Sequence, residues 1–385
     1  MSARLTERAH FRDVAPSPRA SKRGAFAVSP QKFAGTLAPS AQNPDKRLMS
    51  TDGVLPDEAI RHLAVQGGIL TGAPFDSNQI QPASLDLRLG AIAYRVRASF
   101  LPGKGVDAET RLTADTLMHT LDLSKGAVLE TGCVYLVPLQ ESLKLPADLH
   151  GAANPKSSTG RIDVFVRVVA NGSEAFDKIP AGYEGPLFAE ISPRTFSILV
   201  RQGDRLCQLR IRKGVFRPRE EIVFSVDLSP RAGPAGYRAR RHSGILDLTQ
   251  IAGHDPREFW EPLSPRHGRF VLDPGEFYIL ASKEAVSVPL DMAAEMAPIA
   301  PELGEFRAHY AGFFDPGFGL NEGGSRAVLE VRSRDVPFIL EDGQPVGRLV
   351  YESMTAPPLK PYGEGSNYQG QGLRLSKHFG AWESQ

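Results

Sequence analysis

The chain has 385 residues, 41% of them apolar, which is enough for two ordinary domains with real cores. Its formal net charge of +1 argues against nucleic-acid partners, and no apolar run reaches the roughly 18 residues of a membrane span. The 37 glycines and 31 prolines, with turn signals between short alternating apolar runs, predict a mainly β fold.

The chain has two cysteines, Cys133 and Cys207, which excludes a disulfide framework and a zinc site built from cysteine pairs. Few cysteines also favour a reducing compartment, so we expect a cytoplasmic location. The nine histidines show neither HExxH nor HxH spacing, and the H-x-E with P-C-x-x-C signature of zinc deaminases is absent. The sequence therefore predicts chemistry without zinc or another protein-bound metal.

Residues 1–50 differ from the rest, with nine Lys/Arg against three Asp/Glu and no apolar period. This composition predicts a disordered basic N-terminal tail. A basic, serine-containing, acid-poor leader also resembles an organelle transit peptide, and a translation start at Met49 is a third interpretation. No fold assignment rests on this tail.

A short helix is predicted from Asp57 to Gly67, and alternating strands dominate after it. Two segments then recur about 140 residues later. The run VLETGCVYLVPLQESLKLPADL (128–149) aligns without a gap with VLDPGEFYILASKEAVSVPLDM (271–292). The run AEISPRTFSILVRQGDRLCQL (189–209) aligns in the same way with LEVRSRDVPFILEDGQPVGRL (329–349). Such a long period indicates two copies of one β domain rather than a solenoid.

The repeat also sets the predicted domain boundaries. We expect a first β domain at 51–215, an irregular linker at 216–240, a second β domain at 241–358 and a C-terminal lid or tail at 359–385. The linker prediction rests on prolines, a glycine and several arginines that fall close together.

The stretch PKSSTGR at 155–161 places two adjacent serine hydroxyls and two cations in one turn. The backbone N–H groups and hydroxyls of such a turn form a concave nest for phosphate oxygens. Arg161 can add a planar, two-pronged grip on the same oxygens. So short a motif, taken alone, more often marks an ordinary polar turn.

The stretch FFDPGFG at 313–319 is followed by AVLEV at 327–331, and its Asp-Pro-Gly core is typical of a hairpin turn. Strand alternation puts Glu330 on the same face as Val328. A carboxylate in such an apolar run either faces solvent or is held in place to take part in catalysis. Partial desolvation would raise its pKa toward the value that a general base needs near neutrality.

The stretch LKPYGEGSNYQGQG at 359–372 combines two tyrosines, several amides and four glycines. This composition is typical of a disordered terminus. It is also typical of a lid that orders over a ligand, with Tyr362 stacking or hydrogen bonding.

Taken in order, these motifs resemble the dCTP deaminase family, which has the dUTPase-like β fold. That family has an R-S-S-x-x-R phosphate turn, an I-D-P-G hairpin before a catalytic Glu in a V-L-E strand, and a C-terminal P-Y followed by K-Y-x-x-Q-x-G. In addition, IQPASLDLRLG at 80–90 is similar to the family's A-S-x-D-L-R-L-G strand, here around Asp86. The resemblance covers 53–215 well and 265–372 more loosely. It implies two tandem dUTPase-like β-barrel or jelly-roll domains with a few short helices, in the long duplicated form of the enzyme.

The two copies depart from the family pattern in complementary ways. The first copy has FDKIPAGYEG at 176–185 in place of the D-P-G hairpin, and the second has APIAPELGEF at 297–306 in place of the phosphate turn. Lys156 also replaces the first Arg of the turn, and Asn367 replaces the tail's Lys. Because each copy keeps what the other lacks, we expect one composite site per chain, with the first copy holding the triphosphate and the second holding the base.

The resemblance implies hydrolytic deamination of dCTP to dUTP and ammonia, supplying dUTP for dTMP synthesis. It makes Glu330 the general base, with Glu190 of the first copy as the second choice, and gives Ser157 and Arg161 supporting catalytic roles. Mg²⁺ is expected to arrive with the nucleotide rather than in an all-protein cage. The substrate contacts that the resemblance implies come from Lys156, Ser158, Asp315 at the deoxyribose, Val328, Leu329, Tyr362 and Gln371.

Two other functions stay open at this point. One is a dUTPase, or a bifunctional enzyme that carries dCTP through to dUMP, which would need Asp86 to activate water at the α-phosphate. The other is a non-catalytic regulatory protein that binds a deoxynucleotide. The sequence also leaves open feedback inhibition by dTTP and assembly into a homo-oligomer.

Overall fold

The computed structural model describes residues 52–304, 306–308, 312–320, 323–363, 368 and 372–382. The N-terminal tail expected at 1–50, as well as Asn367 and Gln371, lies outside these residues. Helices are short: α1 at Asp57–Val65, α2 at Ser157–Gly160, α3 at Pro256–Phe259, and 3-10 turns at Ala108–Arg111 and Pro301–Leu303. None of the helices in the described ranges has the length and apolar character to cross a membrane.

The first half of the fold, defined here as residues 53–213, is built from strands around a large hydrophobic core, with a smaller apolar cluster beside it. The strands are β1 (Gly53–Val54), β2 (Ile69–Thr71), β3 (Ile80–Gln81), β4 (Ser84–Arg88), β5 (Ile92–Val96), β6 (Leu117–Asp122), β7 (Ala127–Leu129), β8 (Val134–Lys144), β9 (Leu149–Pro155), β10 (Val164–Ala170), β11 (Lys178–Ile179), β12 (Glu184–Pro193), β13 (Ile198–Val200) and β14 (Arg205–Lys213). One sheet has the order β11-β9-β14-β4-β3 with β1 beside β14, and a second has the order β10-β12-β8-β5-β6 with β2 beside β8.

The second half, defined as residues 218–353, repeats this plan. Its strands are β15 (Pro218–Ser225), β16 (Gly236–Ala239), β17 (Leu246–Asp247), β18 (Trp260–Leu263), β19 (Arg269–Leu272), β20 (Phe277–Val286), β21 (Met292–Ala297), β22 (Phe306–Ala308), β23 (Phe313–Phe314), β24 (Ser325–Ser333), β25 (Phe338–Glu341) and β26 (Pro345–Ser353). The sheets have the orders β15-β26-β21-β23 and β18-β16-β20-β24-β22, and β19 pairs with β25. The predicted mainly β fold is confirmed.

Equivalent residues of the two copies make the same local contact. The hydroxyl of Tyr135 accepts a hydrogen bond from the backbone N–H of Glu130 at 3.1 Å, and that of Tyr278 accepts one from Asp273 at 2.9 Å. The turn beside each tyrosine needs a left-handed residue, which Gly132 (φ +73°) and Gly275 (φ +75°) supply. The repeat read from the sequence is therefore a repeat of structure.

The structure differs from the linker expected at 216–240. Strand β15 pairs with β26, and β16 pairs with both β18 and β20, so this segment belongs to the sheets of the second half. Phe224 and Val226 are fully buried, whereas Arg217 and Arg219 are exposed. Strand β15 lies at the edge of its sheet and begins at an exposed proline that lies between these two arginines. These residues interrupt the alternation of buried residues that would indicate a strand in the sequence.

The halves share core residues, and the described residues of the C-terminal segment, which are 359–363, 368 and 372–382, are anchored on them. Trp260 and Phe277 belong to the same hydrophobic cluster as the first-half core. The Phe379 ring lies 5.8 Å from that of Trp260 and 5.4 Å from that of Phe259. The described end of the predicted lid is therefore packed into the core.

Candidate active site

A cavity of about 350 Å³ opens between the two halves and beneath the C-terminal segment. Both halves and the segment contribute to its wall. The structure brings together eight of the residues predicted from the sequence, and these lining residues are Lys156, Ser157, Ser158, Arg161, Asp315, Val328, Glu330 and Tyr362.

The first-half turn follows directly from the end of β9. Strand β9 stops at Pro155, and the backbone N–H groups of Thr159 and Gly160 then donate to the Lys156 carbonyl at 2.8 and 3.0 Å. This single helical turn, α2, carries the two serines and Arg161 to the cavity wall. Small residues allow so tight a turn to be buried.

Glu330 of the second half meets this turn at close range. A Cβ atom added to Gly160 would lie 2.9 Å from the Glu330 carboxyl carbon and from both of its oxygens. Glu330 is 8% exposed, and burial raises its pKa to about 8, with the nearby charge of Arg161 lowering it and that of Asp163 raising it. A carboxyl with this pKa can both accept and return a proton near neutral pH.

We expect Gly160→Ala to lower turnover by roughly 10- to 100-fold, because the added methyl group would lie 2.9 Å from the Glu330 carboxyl and must push it away from the turn. The backbone of Gly160 is not left-handed, so the melting temperature should change little. Steady-state kinetics and thermal denaturation measure the two effects. Gly72→Ala, at a position with open space around it, is the matched control, and equal losses in both variants would contradict the expectation.

The C-terminal segment covers the turn. The guanidinium of Arg161 stacks over the Tyr368 ring at 4.0 Å and donates from Nη1 to the Arg374 carbonyl at 3.1 Å. The Ser376 hydroxyl donates to the Ser158 carbonyl at 2.8 Å. Arg161 is thereby held in place at one wall of the cavity.

Asp315, in the hairpin of the second half, is held by a residue of the first half. Arg210 on β14 is fully buried and lies 3.3 Å from an oxygen of Asp315, and its guanidinium stacks at 4.0 Å over the Phe313 ring. Burial raises the pKa of Asp315, and the charge of Arg210 opposes that rise. The two halves therefore build this part of the wall jointly.

A group of charged residues forms another wall. Asp86 on β4 is 1% exposed and forms an ion pair with Lys156, and the Arg205 guanidinium lies 3.7 Å from it. Among the residues that the structure describes, the Asp86 Oδ1 atom has no hydrogen-bond partner. Lys377 lines the same cavity, and burial together with the charges of Lys156 and Arg205 lowers its pKa. This wall suits a polyanion.

Two predicted residues lie elsewhere. Glu190 does not line the cavity; it is 4% exposed on β12 and forms an ion pair with Arg167. Leu329 is fully buried on the face of β24 opposite to Glu330, in the core of the second half. For both residues the structure contradicts a place in this cavity, because strand alternation and an existing ion pair direct their side chains away.

Sequence reasoning missed Arg205, Arg210 and Lys377. Arg205 had a detectable signal, because the repeat alignment places it over Pro345, so the cation is specific to the first copy. Lys377 lies beyond the tail motif, and no local pattern marks it. Arg210 lies beyond the aligned run, and its partner is far away in the chain.

Comparison with known proteins identifies the family. Models of the 2'-deoxycytidine 5'-triphosphate deaminase N-terminal and C-terminal domains match residues 51–215 and 201–379. The crystal structure of 2'-deoxycytidine 5'-triphosphate deaminase from Agrobacterium tumefaciens is 54% identical, with a TM-score of 0.76, over 79% of this chain and 100% of that one. The chain belongs to the dCTP deaminase family. The expected family and its dUTPase-like fold are thus confirmed.

More distant members of the dCTP deaminase family match parts of the chain. The proteins of Beutenbergia cavernae and Corynebacterium jeikeium, each named "dCTP deaminase, dUMP-forming", are 33% and 34% identical over 131 and 138 residues. These matches span 32% and 33% of this chain, and 60% and 71% of the relatives. The protein of the same name from Methanosphaera stadtmanae is 27% identical over 49% of this chain and 86% of its own length.

Proposed function

We propose that this chain hydrolyses dCTP to dUTP and ammonia in the cavity between its two halves. The observation that carries the proposal is the position of Glu330, a buried carboxyl of the second half pressed against the polar turn of the first half. A polar turn suited to phosphate and a buried carboxyl thereby line one cavity. Membership of the dCTP deaminase family supports the same reaction.

In this proposal, water attacks C4 of cytosine while the Glu330 carboxylate accepts one of its protons. Glu330 passes that proton to N3 and then takes the second proton of the former water from the C4 hydroxyl. It delivers this second proton to the amine, the C4–N bond breaks as the C4 carbonyl forms, and ammonia leaves. The atoms balance as dCTP plus water giving dUTP plus ammonia. Ser157 orients the water or the base, and Arg161 steadies the carbonyl or phosphate oxygen from its stacked position on Tyr368.

The remaining cavity residues are proposed to contact the deoxyribose, the base and the triphosphate. Asp315, held by Arg210, meets the deoxyribose, and Val328 borders the base. Ser158, Lys156 and Tyr362 take the triphosphate, with Gln371 as a further proposed contact. In the described ranges, no group of three or more His, Cys, Asp or Glu side chains could hold a metal ion. We propose that Mg²⁺ enters bound to the triphosphate as part of the substrate.

Lys377→Met should raise the KM for dCTP by roughly 10-fold and leave kcat within about three-fold, because one charge-assisted contact to phosphate is worth about 1.5–3 kcal/mol. The lysine lines the cavity beside Lys156 and Arg205. The same variant should discriminate less between dCTP and dCMP, which lacks the outer phosphates. Lys360→Met, on the same segment, tests whether any lysine near the opening has this effect. An unchanged KM in Lys377→Met would remove that residue from the site.

A direct assay tests the proposed reaction. Purified protein is incubated with dCTP and Mg²⁺ while ammonia and nucleotide products are followed, and we expect ammonia and dUTP in equal amounts. Nucleotide binding without ammonia release would instead favour the non-catalytic regulator. The same assay with added dTTP tests feedback inhibition, which we propose from the family resemblance. From the same resemblance and the low cysteine content we also propose a homo-oligomeric assembly and a cytoplasmic location.

A second candidate is the bifunctional enzyme that continues to dUMP. It is favoured by the buried Asp86 carboxylate, whose Oδ1 lacks a hydrogen bond within the described residues and which lines the cavity. Several relatives also carry names that specify dUMP formation. Pyrophosphate and dUMP in the product mixture, both lost in Asp86→Asn with ammonia release retained, would establish this second activity.

A further inference from the structure

Arg332 lies two residues beyond Glu330 on β24, on the same face of the strand, but it does not line the cavity. Its guanidinium reaches the first half instead. Nε donates to an Asp163 oxygen at 3.1 Å, and Nη2 pairs with the other oxygen of that carboxylate. Nη2 also donates to the Thr195 hydroxyl at 2.8 Å. One side chain thus ties the strand that carries Glu330 to two elements of the opposite half.

Asp163 has an unusual backbone for a residue with a side chain. Its φ angle is +56°, in the left-handed region that glycine adopts most readily, and it is fully buried. It directly follows the phosphate-type turn, and its N–H donates to the Gly160 carbonyl at 2.9 Å. Aspartate is one of the few residues with a side chain that adopts this conformation routinely, so the backbone can place a carboxylate here, opposite Arg332.

We propose that Arg332 is a positioning residue that fixes the Glu330 carboxyl against the Gly160 turn through its bidentate pair with Asp163. The inference rests on the proposed function, because it matters only if Glu330 transfers the proton. Bidentate Arg–carboxylate pairs fix direction as well as distance, so the pair limits sliding of β24 along the turn. A displacement of about 1 Å at a reacting group can cost about 100-fold in rate.

The charges around Glu330 predict a shift in the pH profile of kcat/KM, which a loss of stability alone would not produce. Asp163 raises the pKa of Glu330 and Arg161 lowers it, and Arg332 is the next charged residue along the same face. With Arg332 retained and Asp163 neutralised, the pKa of Glu330 should fall. The pH at which kcat/KM is half-maximal should then move to lower pH in Asp163→Asn.

The experiment compares kcat, KM, melting temperature and pH profile across a set of full-length variants. Arg332→Met and Asp163→Asn should each lower kcat by roughly 10- to 100-fold with KM changed less than about three-fold. The double variant should lose little more than the worse single variant, because both act through one ion pair. Arg332→Lys keeps the charge without the fork and should recover part of the lost kcat.

Arg326→Met is the matched control, because Arg326 lies on the same strand and pairs with Asp227 within the second half. It should keep kcat within about three-fold. The inference is overturned if Arg332→Met and Asp163→Asn lose melting temperature but keep kcat, if their effects on kcat are additive, or if the control loses as much. Failure of the proposed function shows differently, since the wild-type protein itself would then release no ammonia from dCTP; that result would overturn both.

Discussion

Glu330→Gln is expected to lower kcat for dCTP deamination by about 10²- to 10⁴-fold, the usual contribution of a positioned general base, while dCTP still binds. The amide keeps the size of the carboxyl but cannot accept a proton from water. Ammonia release measures turnover, and isothermal titration calorimetry with dCTP measures binding. Full activity in this variant would refute the assignment of Glu330.

The raised pKa of Glu330 predicts how the melting temperature of the Glu330→Gln variant depends on pH, and this dependence checks that the variant is correctly folded. The pKa in the folded protein, about 8, lies above the ordinary 4.5, so the fold favours the protonated acid. The contribution of the protonated Glu330 side chain to the stability of the fold is complete below about pH 4.5 and is lost as the pH rises through about 8. A glutamine cannot ionise, so the variant should melt at a higher temperature than the wild type at pH 8, by a few degrees, and at nearly the same temperature at pH 5.

Glu190→Gln is the matched comparison, because the repeat alignment places Glu190 over Glu330. Glu190 is paired with Arg167 outside the cavity, so this variant should keep kcat within a few-fold. Loss of turnover in Glu190→Gln with activity retained in Glu330→Gln would reverse the assignment.

The sequence was sufficient for the features that local motifs carry. The PKSSTGR turn and the Asp-Pro-Gly hairpin are each set by a few adjacent residues, so their positions could be predicted before any contact was known. The complementary losses in the two copies then predicted that Arg161 and Glu330 would share one site, and both line the cavity. Alternation also placed Val328 beside Glu330, although it was not applied to Leu329, which the same rule directs to the core.

Contacts between distant parts of the chain could not be predicted in this way. Arg332 meets Asp163, and Arg210 meets Asp315, across more than 100 residues of sequence. Nothing in the local pattern of an arginine on a strand distinguishes an exposed cation from one buried against the other half. For the same reason, the arginines at 216–240 suggested a linker, whereas that segment forms the edge strand β15 and the inner strand β16.

A buried charge network joins the halves behind the hairpin. Glu352 on β26 is 3% exposed and accepts hydrogen bonds from Arg210 at 3.0 Å and from Arg212 at 2.7 and 2.8 Å. When the second repeat alignment is extended to residue 352, Arg212 and Glu352 fall at equivalent positions. Equivalent positions of the two copies have thus acquired opposite charges, and Arg210 extends the network to Asp315.

Glu352→Gln should lower the free energy of unfolding by up to about 3–5 kcal/mol, because Arg210 and Arg212 lose the carboxylate that they share and keep only Asp315 and Glu295. Burial alone would raise the pKa of Glu352, but the hydrogen bonds from Arg212 and the charge of Arg210 lower it below the ordinary 4.5. Its stabilisation is therefore present above about pH 4.5 and is lost as pH falls through its folded pKa. Urea denaturation at pH 7 and at pH 4 should show a smaller difference between variant and wild type at the lower pH.

Glu261→Gln separates this buried network from ordinary ion pairs, since Glu261 meets Arg238 and Arg240 at a partly exposed site. Removing a surface pair costs about 0–1 kcal/mol, so this control should be close to the wild type. Because Arg210 also holds Asp315, Glu352→Gln should in addition raise the KM for dCTP, which the control should not do. Similar unfolding free energies for the two variants would mean that the Glu352 network adds little to the stability of the fold.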